Sequence, residues 1–186
     1  LLQMDALSVI VITYNEAPNI GACLQSVSWA DEIIIVDCGS TDGTLEICGE
    51  YTDRIFEEER HGSGLQKQQA LDRAMHPWVL NIDADEQVSQ NLERDIKKIQ
   101  TGGSAEDGFY ILRQNYFLNK HIIHAGWGDD RPLRLFRREK TEVTDTQVHE
   151  GFSWMAPSVS YPLRRFLIPI RAFFRFLEKL NNNPRL

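Results

Sequence analysis

Short apolar runs alternate with helical patterns over about the first hundred residues, and this alternation restricts the fold more than any other feature. Runs rich in β-branched residues occupy positions 7–13 and 32–37, and each is followed by a polar loop and a segment that suits a helix. Shorter runs at 54–58 and 78–82 precede the helical patterns of HGSGLQKQQALDRAM and SQNLERDIKKIQ. The repeated order of strand and helix predicts an α/β fold with a mostly parallel, doubly wound sheet flanked by helices.

The pattern changes beyond TGGSAEDG, which ends at residue 108. FYILRQNYFLNKHII and PLRLFRR are typical of strands without a helix between them, so they predict an antiparallel extension of the sheet. From Arg164 to Leu180 basic residues lie along one side of a helical projection and apolar residues along the other. We therefore predict one domain over residues 1–155 and a basic, amphipathic C-terminal helix in a tail over 156–186.

Composition excludes several classes of protein. The net charge of −7 gives no overall attraction to nucleic acid. Three cysteines without CxxC spacing argue against a disulfide framework or a structural zinc site and favour a reducing compartment. Neither a signal-like N-terminus nor an apolar run long enough to span a membrane is present in the sequence. We expect a cytoplasmic globular protein.

Polar residues follow three of the predicted strands. These residues are Thr13, Asn15 and Glu16, then Asp37, and then Asp83 and Asp85. Ligands bind beyond the carboxyl ends of parallel strands, so we expect one acidic crevice there. Two carboxylates separated by one residue suit a hard cation such as Mg²⁺ or Mn²⁺, which leaves positions for substrate phosphates. Such a short motif also recurs by chance, and a helix-capping Asp83 beside a solvated Asp85 stays open as the alternative.

The segments VIVITYNEAPNIGACLQSV, IIIVDCGSTDGT and WVLNIDADEQ, in this order, resemble the nucleotide-binding half of family 2 inverting glycosyltransferases, which have the Rossmann-like GT-A fold. The later RPLRLFRR and VHEGF resemble the subgroup that adds sugars to the inner core of bacterial lipopolysaccharide, including a β-1,4-glucosyltransferase. The resemblance implies transfer of a hexose, with glucose expected, from a UDP-sugar to a lipid-linked or lipopolysaccharide-core acceptor. It also implies action at the cytoplasmic face of the inner membrane.

The resemblance assigns roles to the residues of the crevice. Thr13, Asn15 and Glu16 match the loop that contacts the nucleoside. Asp37 matches the acid that reads the uracil ring. Lys67 lies where relatives often carry an arginine that helps to hold the nucleotide, although a lysine lacks the bidentate fork. Finally, Asp83 matches the acid near the ribose, or a second metal ligand, and Asp85 matches the ligand of the metal that bridges the diphosphate.

Inverting transfer also requires a base that deprotonates the attacking hydroxyl. By resemblance this base is Glu150 in VHEGF, and Asp130 in WGDDRP is the reserve candidate. His149 is a candidate metal ligand or phosphate contact, and a purely structural role stays open for it.

Two other functions stay open for the domain, and a second role stays open for the C-terminal tail. A phosphatase of the haloacid dehalogenase type also carries its nucleophile in a DxD after a strand, but near its first strand. A non-catalytic module that binds sugar nucleotides would share the crevice without turnover. The basic tail predicts peripheral contact with anionic lipid, whereas packing of its apolar side on the domain is the alternative.

Overall fold

The structure is a computed structural model that describes residues 4–59, 63–102, 104–113, 116–117, 120–121, 131–144, 151–154 and 160–163. Its first half alternates strands and helices: β1 Leu7–Thr13, α1 Ala17–Ser26, β2 Glu32–Asp37, α2 Thr44–Cys48, β3 Ile55–Glu57, α3 Ser63–Arg73, β4 Trp78–Asp83 and α4 Gln90–Gly102. This order confirms the predicted alternation. Pro18 lies in the first turn of α1, where the missing backbone N–H costs no hydrogen bond.

The second half consists mainly of strands: β5 Gly108–Ile111, β6 Tyr116–Phe117, β7 Lys120–His121, β8 Leu133–Arg137, β9 Thr141–Thr144, β10 Gly151–Trp154 and β11 Ser160–Leu163, with a 3₁₀ turn at Arg138–Lys140. Seven strands form one sheet in the order β11-β5-β8-β4-β1-β2-β3. Because β8 runs antiparallel to both β4 and β5, the predicted antiparallel extension is confirmed. β11 pairs with β5, so the sheet extends past the domain boundary predicted at residue 155.

The register of the central strands brings three strand ends to the same level. β1 lies between β2 and β4 and is parallel to both. Thr13 pairs with Asp37 of β2, and the preceding Ile12 pairs with Asp83 of β4. The polar residues that follow these strands therefore meet at one edge of the sheet, as predicted.

The central strands are apolar on both sides, and helices cover both faces of the sheet and remove these apolar side chains from water. One face packs on α1 and α4, whose buried residues include Ile20, Leu24, Leu92 and Ile96. The other face packs on α3 through Ala70, Leu71 and Ala74. Ser89 caps the start of α4, since the backbone N–H of Leu92 donates to Ser89 Oγ at 3.3 Å.

Some sequence predictions fall outside the described residues. These are the predicted base Glu150, its reserve Asp130, the predicted metal ligand His149, and the amphipathic tail from Arg164 to Leu180. Within the part of the chain that the structure describes, no helix has the length and apolarity that a membrane crossing requires.

Candidate active site

The loops that follow β1 and β2 are joined by reciprocal hydrogen bonds. The backbone N–H of Asn15 donates to Ser40 Oγ at 2.8 Å, and the backbone N–H of Thr41 donates to Asn15 Oδ1 at 2.8 Å. Asn15 has a φ of 52°, a left-handed conformation that asparagine adopts more readily than most residues. One side chain therefore shapes its own loop and holds the neighbouring one.

A second pair of tethers runs from the start of α1 to the start of α2. The backbone N–H of Glu16 donates to Thr44 Oγ1 at 2.8 Å, and that of Ala17 donates to Asp42 Oδ2 at 3.1 Å. Thr44 is fully buried, and its hydroxyl donates to Asp42 Oδ1 at 2.5 Å. The hydrogen bond from Thr44 holds the pKa of Asp42 below its ordinary value. Both loops are thus fixed before any ligand arrives.

Asp37 organises the loop after β2 from a fully buried position. Its Oδ2 accepts hydrogen bonds from the backbone N–H groups of Gly39, at 2.9 Å, and Ser40, at 2.8 Å. Its Oδ1 accepts the Ser40 hydroxyl at 2.5 Å. Gly39 has a φ of 85°, which favours glycine at this turn. The contact of Asp37 with uracil stays a prediction, to which the structure adds this role in shaping the loop.

Two other residues near the end of β1, Thr13 and Glu16, differ in whether their side chains have hydrogen-bond partners. Thr13 is buried, and its Oγ1 has no hydrogen-bond partner among the described residues. Glu16 is also buried, but its Oε2 accepts a hydrogen bond from Asn19 Nδ2 at 2.9 Å. Buried hydroxyls in proteins nearly always find a partner, so Thr13 Oγ1 is an unsatisfied exception at the end of β1.

The acidic turn after β4 is held by its own backbone and by α1. The N–H of Glu86 donates to the Asp83 carbonyl at 2.9 Å, and the N–H of Asp83 donates to Glu86 Oε2 at 3.0 Å. The N–H of Val88 donates to Ser26 Oγ of α1 at 2.9 Å. The turn therefore has a defined shape, with Asp85 at its centre.

Two arginines from the second half of the chain meet this turn, and sequence reasoning assigned a role to neither. Arg134 of β8 places Nη2 2.7 Å from Asp83 Oδ2 and 2.6 Å from Glu86 Oε1. Arg113, just after β5, places Nη2 3.0 Å from Asp83 Oδ2 and Nε 3.0 Å from Glu86 Oε1. The Arg134 side chain is only 4% exposed, which for a guanidinium requires such pairing.

These charges set the protonation of the three acids differently. Burial alone would raise the pKa of Asp83, but the positive charges of Arg134 and Lys67 hold it below its ordinary value. Burial, followed by the charge of Asp83, raises the pKa of Asp85. Burial raises the pKa of Glu86 to about 8, against the opposing charge of Arg134. Asp83 is therefore the most strongly stabilised anion of the turn.

Asp85 has the properties expected of a ligand for a hard divalent cation. It is half-buried, and it makes no ion pair with any residue that the structure describes. A partly buried carboxylate beside a second one is costly without a cation, and an oxygen ligand suits Mg²⁺ or Mn²⁺. In the described part of the chain no three His, Cys, Asp or Glu residues are arranged to hold a metal. Asp85 thus offers one oxygen ligand to such a cation, which could take further ligands from phosphates and water.

The described residues among the predicted site residues meet at one edge of the sheet. They are Thr13, Asn15, Glu16, Asp37, Asp83 and Asp85. Lys67 of α3 belongs to the same group, because it is close enough for its charge to act on Asp83.

Comparison with known proteins places this arrangement among glycosyltransferases. The sequence model of glycosyl transferase family 2 matches residues 8–158. The lipopolysaccharide core biosynthesis glycosyltransferase LpsC of Rhizobium meliloti (strain 1021) is 35% identical over 151 residues, which are 78% of this chain and 56% of that protein. The uncharacterized glycosyltransferase RP128 of Rickettsia prowazekii (strain Madrid E) is 38% identical over 134 residues, which are 72% of this chain and 43% of that protein. The chain thus spans about half the length of the curated relatives it matches.

Two solved structures share the fold. The S. aureus TarS 1-349 structure with UDP-GlcNAc has a TM-score of 0.60 at 18% identity and covers 89% of this chain and 59% of that chain. The mannosyltransferase PcManGT from Pyrobaculum calidifontis, solved with GDP-Man and Mn²⁺, has a TM-score of 0.50 at 26% identity. That alignment covers 61% of this chain and 36% of the mannosyltransferase.

Proposed function

The chain belongs to glycosyltransferase family 2 and has the GT-A fold, and from this premise we propose that it transfers glucose from UDP-glucose to an acceptor hydroxyl with inversion. One observation carries the proposal. Three adjacent strands end at the same level, two tethered loops follow two of them, and the unpaired carboxylate of Asp85 follows the third. A polar edge formed by tethered loops, beside a candidate cation ligand, suits a nucleotide diphosphate.

The nucleoside would occupy the edge formed by the ends of β1 and β2. The unpartnered Thr13 Oγ1 would exchange a hydrogen bond with a base that reached it, and Tyr14, the next residue of the chain, is 41% exposed. Asp37 would accept the uracil N–H with a remaining lone pair, while it keeps its loop in place. Its two oxygens have about four acceptor sites, and three of these already receive hydrogen bonds from the protein. Uridine specificity is therefore proposed for the loop that Asp37 shapes.

The diphosphate would lie between Lys67 and Asp85. Mg²⁺ or Mn²⁺, held by Asp85, would offset the negative charge that grows on the diphosphate as it leaves. The related mannosyltransferase solved with GDP-Man and Mn²⁺ supports this assignment. Lys67 would contribute a further positive charge to the phosphates, and Asp83 would lie towards the ribose.

The acceptor half of the reaction rests on residues outside those that the structure describes. Glu150 is the proposed general base, with Asp130 as its reserve, and His149 is a proposed ligand of the metal or contact to phosphate. The similarity to LpsC supports an acceptor in the lipopolysaccharide core or a lipid-linked precursor. A soluble catalytic domain that docks on the cytoplasmic face of the inner membrane through its basic tail would meet such an acceptor.

Turnover of a nucleotide sugar tests this function against its alternatives. UDP release should be measured with several nucleotide sugars and core-oligosaccharide acceptors, with and without EDTA. The Glu150→Gln variant should keep donor binding and lose roughly 10²–10⁴ in rate. Asp95→Asn, at an exposed ion pair on α4, is the matched control and should retain full activity.

Three outcomes would redirect the assignment. Full activity of Glu150→Gln would pass the role of base to Asp130. Donor binding without any turnover would favour a non-catalytic binding module. Release of phosphate from phosphomonoesters, with no use of nucleotide sugars, would favour a phosphatase of the haloacid dehalogenase type.

A further inference from the structure

Arg134 reaches the acidic turn from β8, which runs antiparallel to both of its neighbours in the seven-stranded sheet. In the β4–β8 ladder, Leu80 pairs with Leu135, and Arg134 Nη1 lies 3.4 Å from the carbonyl oxygen of Asn81. From there the guanidinium extends to the end of β4, where Nη1 and Nη2 face Asp83 Oδ1 and Oδ2 at 3.4 and 2.7 Å. This two-point contact fixes the orientation of the Asp83 carboxylate as well as its charge.

The two aspartates of the turn differ sharply in their surroundings. Asp83 contacts two guanidinium groups, those of Arg134 and Arg113, and is close to Lys67. Asp85, two residues further on, forms no ion pair with the described residues. Both are carboxylates of the same length on the same turn, so the difference arises from what the other strands bring to them.

We propose that Arg134 is a positioning residue that holds Asp83 and Glu86 within the protein, so that Asp85 is the carboxylate left to meet the cation of the donor complex. This inference rests on the proposed function. Without Arg134, the three carboxyl groups of residues 83–86 would face, among the described residues, the guanidinium of Arg113 and the more distant charge of Lys67. Carboxylates that are free to turn would gather around any divalent cation, with or without a nucleotide.

Arg134 would therefore make cation binding depend on the nucleotide. A single protein carboxylate binds Mn²⁺ weakly, and the phosphates of the donor supply the missing oxygen ligands. Held less firmly by Arg113 alone, the carboxyl groups of Asp83 and Glu86 could turn and add oxygen ligands to a cation before the donor arrives. The buried arginine prevents this by holding both of them.

The test is a titration of the nucleotide-free protein with Mn²⁺, in which electron paramagnetic resonance measures the concentration of free Mn²⁺. The Arg134→Met variant should bind Mn²⁺ about tenfold more tightly than the unaltered chain, because a nearby positive charge is lost and two carboxylates are released. Arg137→Met is the matched control. Arg137 lies on the same strand and pairs with Asp5 at 2.7 Å, but it is opposite Trp78 at the other end of β4. Its Mn²⁺ affinity should equal that of the unaltered chain.

A folded Arg134→Met protein with unchanged Mn²⁺ affinity would overturn the proposal, because a merely structural arginine would alter thermal stability alone. If Arg134→Met does not fold, Arg134→Lys decides. A lysine keeps the charge but, as a single point, does not hold Asp83 and Glu86 together, so Mn²⁺ binding should still tighten measurably. Unchanged affinity in that variant would equally reject the idea. Failure of the unaltered chain to bind UDP in the presence of Mn²⁺ would count against the proposed function, while the nucleotide-free comparison would still judge Arg134.

Discussion

Replacement of Thr44 by valine tests whether the two loops act as one unit. Valine keeps the shape of the side chain but removes the hydroxyl that accepts from the buried N–H of Glu16 at 2.8 Å. An unsatisfied buried N–H costs about 1–3 kcal/mol. The hydrogen bond to Asp42 should contribute little to stability, because that carboxylate is exposed and water can replace the bond. For a domain of this size, a loss of about 2 kcal/mol lowers the melting temperature by roughly 4–8 °C.

Loss of the Thr44 hydroxyl should also weaken the binding of UDP. Without its tether the loop after β1 must be ordered again when UDP binds, and ordering one residue costs about 1 kcal/mol. That cost corresponds to an about fivefold larger dissociation constant for UDP. Differential scanning calorimetry and titration calorimetry measure the two effects separately.

Thr52→Val is the control for this experiment. The Thr52 hydroxyl likewise donates once, to the Ile33 carbonyl at 2.8 Å, and accepts once, from the Arg54 N–H at 3.0 Å. It lies at the opposite end of the sheet, before β3, so its loss should lower stability and leave UDP affinity unchanged. The reasoning is refuted if Thr44→Val and Thr52→Val have the same affinity for UDP.

Three further predictions concern other parts of the chain. Asp37→Asn should weaken UDP binding by roughly 1.5–3 kcal/mol, as measured by calorimetry, because an amide replaces a carboxylate that receives three hydrogen bonds; unchanged binding would contradict this. Burial raises the pKa of Cys23, and that of Cys48 to about 11, so both thiols should stay protonated and unreactive to an aromatic disulfide reagent at pH 7 until the protein is unfolded. Rapid labelling of either in the native protein would speak against this. Binding to anionic vesicles should be sensitive to salt and lost on truncation before Arg164, and equal binding by the truncated chain would favour packing of the tail on the domain.

Local chemistry accounts for the part of the fold that sequence reasoning predicted correctly. Runs of β-branched residues at 7–13 and 32–37 are buried on both faces, as central parallel strands require. Pro18 and Ser89 mark the starts of α1 and α4 through interactions that span only a few residues. Parallel strands share one direction, so the sequence alone predicts that Thr13, Asp37 and Asp83 lie at the same edge of the sheet.

Tertiary contacts account for what sequence reasoning missed. In RPLRLFRR the arginines stand at positions 131, 134, 137 and 138, a spacing that does not distinguish a buried arginine from an exposed one. The burial of Arg134 depends on Asp83, which lies 51 positions earlier and becomes its neighbour only through the β4–β8 pairing. Likewise, the bond between Thr44 and the Glu16 N–H links residues 28 positions apart. Sequence reasoning did not predict β11 as a strand of the sheet. It pairs with β5, but β6 to β10 separate the two along the chain.

The central claim is that this edge of the sheet binds a nucleotide diphosphate through a divalent cation held by Asp85. Titration calorimetry of UDP into the chain, once with MnCl₂ and once with EDTA, tests it most directly, with Asp85→Asn and the control Asp95→Asn measured alongside. Binding should require Mn²⁺, should be lost in Asp85→Asn, and should be retained in Asp95→Asn. Equal UDP affinity in EDTA and in Mn²⁺, or an Asp85→Asn protein that binds as the unaltered chain does, would contradict the claim.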